Sequence, residues 1–134
     1  MIDNLKELIQ MAIDNKKNSY SPYSNFRVSA LVVTKTGEIY KGVNIENASY
    51  PATICAERSA LASCISDGHR DIDYLILTAD AKDTSPCGVC RQFMAEFLDE
   101  DSKIVLANSV DDYKVYRMDE ILPLSFKKDK LEEV

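Results

Sequence analysis

Residues 72–107 read IDYLILTADAKDTSPCGVCRQFMAEFLDEDSKIVLA, and this stretch decides the fold class. It begins with the apolar run Ile72–Ala79, which is typical of a strand buried on both faces. Ser85 and Pro86 then predict a helix start, with Ser85 as N-cap and Pro86 at the first helical position. Residues 103–107 return to the apolar pattern of a strand. The order strand, helix, strand favours a parallel pair of strands joined by a crossover.

The flanking sequence supplies the other elements of the predicted domain. Apolar residues at helical spacing predict two further helices, over residues 3–16 and 54–66, the second with Thr53 as its N-cap. Three further strands are predicted, at residues 28–34, 39–44 and 110–116. We therefore expect an α/β fold of three layers, α/β/α, in which a mixed five-stranded sheet lies between helices.

Size and charge narrow the possible functions. A chain of 134 residues that is 46% apolar predicts one domain over residues 1–134. Its net charge of −6 disfavours nucleic acid as a partner, because phosphate binding needs a basic surface. The basic cluster Lys127, Lys128 and Lys130 is followed at once by two glutamates, so a solvated terminus is the simpler interpretation.

The expected cellular location rests on the absence of two sequence features, a signal peptide and a membrane-spanning run. The first residues do not have the pattern of a signal peptide, and no apolar run approaches the length that crosses a membrane. We expect a cytoplasmic protein with a small-molecule substrate and no membrane partner. In a reducing compartment its cysteines are expected to be free, catalytic or metal-binding.

Three cysteines and one glutamate form the chemical motif. Cys87 and Cys90 lie one helical turn apart at a predicted helix start, and Cys55 lies in the first turn of an earlier helix. Helix N-termini lower the pKa of thiols, and thiolates are ligands that suit zinc. Three protein ligands leave one tetrahedral position open, as in catalytic zinc sites. Glu57 follows Cys55 by two residues, where it can move protons at a bound water.

Cys64 and His69 are the other candidates for a fourth ligand. Cys64 lies more than two helical turns beyond Cys55, so the two sulfur atoms cannot both bind the same ion. We predict that Cys64 is a buried small side chain and that His69 is an exposed polar residue of a surface turn.

The pairing of Cys55-Ala56-Glu57 with residues 86–90, PCGVC, matches the signature of the zinc deaminases. The segments 21–28 (SPYSNFRV), 42–48 (GVNIENA) and 121–126 (ILPLSF) also resemble segments of one family within that group. The chain resembles the small homotetrameric cytidine deaminases, which hold one zinc ion per subunit with three cysteines. This resemblance implies hydrolysis of cytidine and 2'-deoxycytidine to uridine and 2'-deoxyuridine with release of ammonia, in pyrimidine salvage.

The resemblance also implies roles for individual residues. Glu57 is expected to be the catalytic proton carrier, and Arg58 to hydrogen-bond the zinc thiolates and offset their excess negative charge. Phe26 is expected to stack on the pyrimidine ring, and Asn44 and Glu46 to bind the ribose hydroxyls. Tyr50, Ala56 and Ser85 are expected to frame the base and the sugar. Phe126 resembles the family's C-terminal aromatic residue, which reaches the substrate site of a neighbouring subunit in the tetramer.

The sequence leaves three alternative functions open. A blasticidin-type aminonucleoside deaminase shares the fold, the metal and the glutamate, although the pair Asn44 and Glu46 favours an ordinary ribonucleoside. A structural zinc module without catalysis is disfavoured by the missing fourth ligand and by Glu57. A nucleic-acid-editing deaminase is disfavoured by the acidic charge and the short chain.

Overall fold

The structure is a computed structural model that describes residues 4–128 and 131. Residue 3 of the predicted first helix and Lys130 of the basic cluster lie outside the described residues. The strands are β1 (Val28–Thr34), β2 (Ile39–Val43), β3 (Ile72–Ala79), β4 (Lys103–Ser109) and β5 (Asp112–Tyr116). The helices are α1 (Leu5–Asn15), α2 (Ala56–Ser66), α3 (Gly88–Phe97) and α4 (Met118–Ile121), with 3-10 turns at Lys16–Asn18 and Tyr50–Ala52.

The five strands form one mixed sheet in the order β2-β1-β3-β4-β5. β1 pairs antiparallel with both β2 and β3, and β5 pairs antiparallel with β4. β3 and β4 are parallel neighbours joined by α3, which confirms the crossover predicted from residues 72–107. α2 instead carries the chain from β2 past β1 to β3, so the strands that flank this helix are not neighbours.

Helices cover both faces of the sheet, which confirms the predicted three-layer α/β/α architecture. On one face α1 packs against alternate strand residues, among them Leu31, Val33, Tyr74, Ile76 and Val105. On the other face α2, α3 and α4 pack against the intervening residues, among them Ala30, Val32, Leu75, Leu77 and Ile104. Because β3 is covered on both sides, its sequence is an almost continuous apolar run.

A glycine brings α2 and β2 into backbone contact. A Cβ atom added to Gly42 would lie 2.4 Å from the backbone nitrogen of Ala60 and 2.5 Å from the carbonyl oxygen of Ala56. A side chain at position 42 would therefore push the first turns of α2 away from the sheet. The position of Cys55 and Glu57 at the start of α2 thus depends on this close approach.

The predicted N-cap of α2 is wrong, because the helix begins two residues later than expected. Thr53 ends the preceding 3-10 turn, where its backbone N–H donates to the Tyr50 carbonyl at 3.0 Å. Cys55 is the N-cap, in extended conformation at φ −74° and ψ 155°. Cys55 therefore lies at the N-terminal end of the helix and not within its first turn.

The predicted N-cap of α3 is wrong for a related reason. The hydroxyl of Ser85 accepts a hydrogen bond from the Arg91 guanidinium at 3.2 Å, and Pro86 precedes the helix. Cys87 is the N-cap, and its sulfur accepts a hydrogen bond from the Cys90 backbone N–H at 3.5 Å. A thiol here takes the place of the usual hydroxyl cap.

An ion pair holds the segment before β1 against the end of β3. The Arg27 guanidinium donates to both carboxylate oxygens of Asp80 at 3.0 Å, and Lys16 Nζ lies 3.6 Å from the same carboxylate. Hydrogen bonding by Arg27 lowers the pKa of Asp80 from 3.8 to about 2. A carboxyl whose pKa is lower in the folded than in the unfolded chain stabilises the fold above the unfolded pKa, and this contribution is lost as the pH falls towards 2.

We expect Asp80→Asn to lower the free energy of unfolding at pH 7 by about 1 kcal/mol, since the pair is partly exposed to water. The difference from the wild type should shrink between pH 4 and pH 2, as the wild-type carboxylate takes up its proton. Urea denaturation across this range measures it. Asp111→Asn is the matched control, because the Lys6–Asp111 pair is well exposed at both ends and should contribute little at any pH. If the difference in the free energy of unfolding between Asp80→Asn and the wild type did not change with pH, the lowered pKa of Asp80 would be contradicted.

Candidate active site

Three cysteine sulfur atoms meet where α2 and α3 begin. The Sγ atoms of Cys55, Cys87 and Cys90 all lie within 4.8 Å of one another, and those of Cys55 and Cys87 are 3.9 Å apart. Zinc–sulfur bonds of about 2.3 Å in a tetrahedral site place two thiolates about 3.8 Å apart. The spacing of the cluster is therefore compatible with a zinc ion bound by the three sulfur atoms, as the sequence predicts.

The electrostatics of the cluster favour a thiolate at Cys55. Contact with Cys90 and Cys87, together with the Arg58 guanidinium, lowers the pKa of Cys55 to about 5, while the same sulfur contact raises the pKa of Cys90. Cys55 and Cys87 are accessible and Cys90 is buried. Metal ligation needs deprotonated sulfur, and Cys55 meets this condition near neutral pH.

Cys64 and His69 lie apart from this cluster. Cys64 is buried in the core on the inner face of α2, as predicted. His69 is half-buried instead of exposed, since its Nδ1 lies 3.8 Å from a Glu38 carboxylate oxygen and its ring packs against Tyr40. Among the described residues, only the three cysteines form a group able to hold a metal ion.

Glu57 points into the same site from the first turn of α2. Its side chain is only 4% exposed, and burial raises the pKa of its carboxyl to about 7, with a further contribution from the Cys55 thiolate. A buried carboxyl beside a metal site can take up and release a proton near neutral pH. The structure thus brings Glu57 together with the three cysteines.

Arg58 lies beside the sulfur atoms. Its guanidinium is close to Cys55 and Cys90, and its Nη2 donates to the carbonyl oxygen of Thr53 at 3.1 Å. The hydrogen bond to Thr53 fixes the direction of the side chain. A positive charge is therefore held beside the thiolates, where the sequence predicts it.

Cys55 and Cys87 line a cavity of about 210 Å³. Its lining includes the predicted residues Asn44, Ala56 and Ser85 together with Glu57. The lining residues that the sequence did not predict to belong to the site are Val28, Thr53, Ile54, Leu77 and Thr84. Thr53 and Thr84 adjoin the quoted motifs, so proximity to those motifs was the available signal, whereas Leu77 carried none because it reads as part of a buried strand.

A second cavity of about 380 Å³ adjoins the first, because Thr53 lines both. Its other lining residues are Glu46 and Tyr50, both predicted to bind substrate, and Tyr23 and Ser24. The Glu46 carboxylate accepts hydrogen bonds from the backbone N–H groups of Tyr23 at 2.9 Å and Ser24 at 3.1 Å. The hydrogen bond from the Ser24 hydroxyl lowers the pKa of the Glu46 carboxyl most, and the two backbone N–H groups lower it further. Glu46 therefore presents a charged acceptor.

Asn44 and Phe26 are joined to each other in a way that the sequence does not reveal. Asn44 Nδ2 donates to the Phe26 carbonyl at 2.8 Å, and its Oδ1 accepts from the Val28 backbone N–H at 3.0 Å. Asn44 therefore fixes the entry to β1 as well as lining the cavity. The half-buried Phe26 ring does not belong to the lining of either cavity formed by the described residues.

Phe126 lies away from both cavities. The residue is 57% exposed, and its carbonyl oxygen accepts a hydrogen bond from Gln92 Nε2 at 2.7 Å. This bond holds the C-terminal segment on α3. The structure places Phe126 on the surface of the chain, where a contact with a second copy is sterically open.

Comparison with known proteins identifies the kind of site. The family described as the cytidine and deoxycytidylate deaminase zinc-binding region matches residues 2–107. A cytidine deaminase of Mycoplasma genitalium is 41% identical over 127 residues, which cover 93% of this chain and 97% of the relative. A cytidine deaminase of Halalkalibacterium halodurans is 42% identical over 94% of this chain and 96% of its own. The crystal structure of cytidine deaminase from Burkholderia pseudomallei superposes with a TM-score of 0.85 at 37% identity, covering 90% and 97% of the two chains.

Fold, cysteine cluster and matched region together define a zinc-dependent hydrolytic deaminase, and zinc is its cofactor. More narrowly, the chain belongs to the cytidine deaminase family. This confirms the family resemblance seen in the sequence. None of the helices in residues 4–128 and 131 is long and apolar enough to cross a membrane.

Proposed function

We propose that residues 1–134 form one catalytic domain that hydrolyses cytidine and 2'-deoxycytidine to uridine and 2'-deoxyuridine, with ammonia as the second product. The observation that carries this proposal is the buried carboxyl of Glu57 in one cavity with Cys55 and Cys87. The 37–42% identity to cytidine deaminases over most of the chain supports the choice of nucleoside. In this proposal the protein acts in pyrimidine salvage.

Cys55, Cys87 and Cys90 hold the zinc ion in this proposal, at the distances described above. When bound there, zinc supplies a hydroxide nucleophile near neutral pH. The two helix N-termini that carry the cysteines favour the negative charge of the thiolates. The ring of the substrate enters the adjoining cavity with its C4 towards the sulfur atoms.

Glu57 moves the protons of the reaction. Its carboxylate takes a proton from the attacking water and delivers it to N3 of the pyrimidine. After hydroxide adds to C4, the same carboxylate removes the proton of the new C4 hydroxyl and passes it to the amino group. The C4–O bond then becomes the carbonyl of the product, the C4–N bond breaks and ammonia leaves. The buried position of Glu57 keeps bulk water from competing for these protons.

The two joined cavities orient the nucleoside. Ala56 and Ser85 frame the base in the cavity beside the cysteines, and Glu46 and Tyr50 face the ribose in the larger cavity. Asn44 contributes its remaining Nδ2 hydrogen to the substrate, because its other polar positions are already bonded to the protein. Phe26 stacks on the pyrimidine, a role that requires its ring to turn from its present half-buried position.

Arg58 tunes the charge of the site. Three thiolates around a divalent cation leave an excess negative charge, which the guanidinium offsets. We expect Arg58→Gln to lower kcat for cytidine by roughly tenfold to a hundredfold while the protein stays folded. Turnover, zinc content and thermal unfolding measured on one preparation check this. Wild-type turnover in a zinc-loaded Arg58→Gln protein would contradict the role.

The protein is proposed to act in the cytoplasm as a homotetramer. In this proposal the exposed side chain of Phe126 reaches the substrate cavity of a neighbouring subunit. The exposed residues Tyr23 and Tyr50 of the larger cavity, and Tyr20, provide apolar surface for contact. Mass measurement in solution, with Phe126→Ala beside the wild type, tests this arrangement. A monomer with full activity would contradict it.

A substrate panel tests the proposed activity. Purified, zinc-loaded protein is mixed with cytidine, 2'-deoxycytidine and blasticidin S, and deamination is followed by ultraviolet absorbance. Conversion of both pyrimidine nucleosides supports the proposal. Turnover of blasticidin S with no turnover of cytidine would assign the site to aminonucleoside antibiotics, and no turnover at all in protein with bound zinc would favour a structural zinc module.

A further inference from the structure

One arginine joins the wall of the substrate cavity to the C-terminal segment. Arg91 extends from α3 and donates from Nε to the carbonyl oxygen of Pro86 at 2.8 Å and from Nη2 to the hydroxyl of Ser85 at 3.2 Å. Its Nη1 donates to the carbonyl oxygen of Ile121, at the end of α4, at 2.6 Å. A single guanidinium thus serves three acceptors that come from two separate parts of the chain.

The acceptors need this support because Ser85 and Pro86 belong to no helix or strand. They form the short link between the turn after β3 and Cys87, and Ser85 and Cys87 both line the cavity beside Glu57. Without regular backbone pairing, the position of such a link depends on side-chain contacts. Arg91 supplies contacts to both residues of the link.

We propose that Arg91 is a positioning residue for the deamination reaction: it fixes Ser85 and Pro86 at the cavity wall by anchoring them to the carbonyl of Ile121. The inference rests on the proposed function, since Ser85 matters only if the cavity holds the nucleoside base. Arg91 does not touch the metal ligands through its side chain, so it acts on substrate placement and not on zinc.

The chemistry of the side chain explains why arginine is required. The planar guanidinium presents five N–H donors in a fixed fork, which suits three acceptors in different directions. A lysine ammonium at the same place is a point charge on a flexible stem and cannot serve all three. Replacement by lysine should therefore keep the fold and release the link, because the half-buried side chain keeps its positive charge and one contact.

The test compares Arg91→Lys and Arg91→Met with the wild type, measuring kcat and KM for cytidine, zinc content and thermal unfolding. We expect KM to rise by roughly tenfold in Arg91→Met and by at least about threefold in Arg91→Lys, since small displacements of positioning groups are costly. Zinc content should stay at the wild-type level, because the capping contact between Cys87 and Cys90 does not involve Arg91.

Arg70→Met is the matched control. The Arg70 guanidinium also serves two backbone carbonyl oxygens, of Ile65 at 2.9 Å and His69 at 3.0 Å, but at the far end of α2. It should lower stability without changing KM. If Arg91→Met does not fold, Arg91→Lys decides, and a wild-type KM in that variant overturns the inference. An inactive wild-type protein contradicts the proposed function and the inference together, whereas an active wild type with unchanged KM in a folded Arg91 variant contradicts the inference alone.

Discussion

Glu57→Gln should lower kcat for cytidine by about 10⁴-fold, the upper range for loss of a general acid–base group. Glutamine keeps the size and the hydrogen-bonding outline of the side chain but cannot carry the proton. Zinc should be retained, because the group able to hold the metal consists of Cys55, Cys87 and Cys90. The free energy of unfolding should not fall, since the buried carboxyl beside the thiolates is itself unfavourable for folding.

The measurement is single-turnover and steady-state deamination, with zinc content determined on the same samples. Glu96→Gln is the matched control, because Glu96 is an exposed residue of α3 and its variant should have wild-type kinetics. Glu57→Asp keeps the carboxyl but shortens its reach, so intermediate activity is expected. A Glu57→Gln protein that contains zinc and turns over cytidine within tenfold of the wild type would remove Glu57 from the mechanism.

Gly42→Ala should lower the free energy of unfolding by about 3 kcal/mol, the upper part of the usual range for overpacking. The added Cβ would meet backbone atoms of Ala56 and Ala60 at 2.4 to 2.5 Å, and backbone atoms cannot move aside as a flexible side chain can. Relief requires α2 to shift away from β2. Because Cys55 and Glu57 begin that helix, the variant should also lose affinity for zinc.

Urea denaturation and zinc titration measure the two effects. Gly88→Ala is the control for stability, since a Cβ at Gly88 meets nothing within 4 Å and the residue starts a helix. That substitution should be neutral or slightly stabilising. A Gly42→Ala protein as stable as the wild type, with wild-type zinc affinity, would show that the approach of α2 to β2 does not set the site.

Much of the sheet could be predicted because its signal is local. The strands at residues 28–34 and 72–79 have the predicted bounds, since each is a strongly apolar run ended by turn residues. The four-residue α4 was missed, because one turn of helix is too short to show a period. Both N-caps were misplaced for a chemical reason, since cysteines that belong to the metal site occupy positions where serine or threonine is the usual signal.

In the candidate site, too, residues of local motifs could be predicted, whereas contacts between distant parts of the chain could not. The cysteines and Glu57 were predicted because spacing within a motif restricts where side chains can meet. Their convergence depends on Gly42, whose role appears only when α2 lies on β2. The contacts of Arg91 were also missed, because its partners include backbone carbonyl oxygens, which no sequence pattern marks. The predicted roles of Phe26 and Phe126 in substrate binding stay predictions.

Removal and return of zinc tests the central claim most directly. Protein stripped with a chelator under reducing conditions should not convert cytidine to uridine, and activity should return in proportion to added zinc until one ion is bound per chain. Cys90→Ser should bind zinc more weakly and require more zinc for the same activity. Cytidine turnover at the full rate by the metal-free protein, or none by the protein with one zinc ion per chain, would contradict the account.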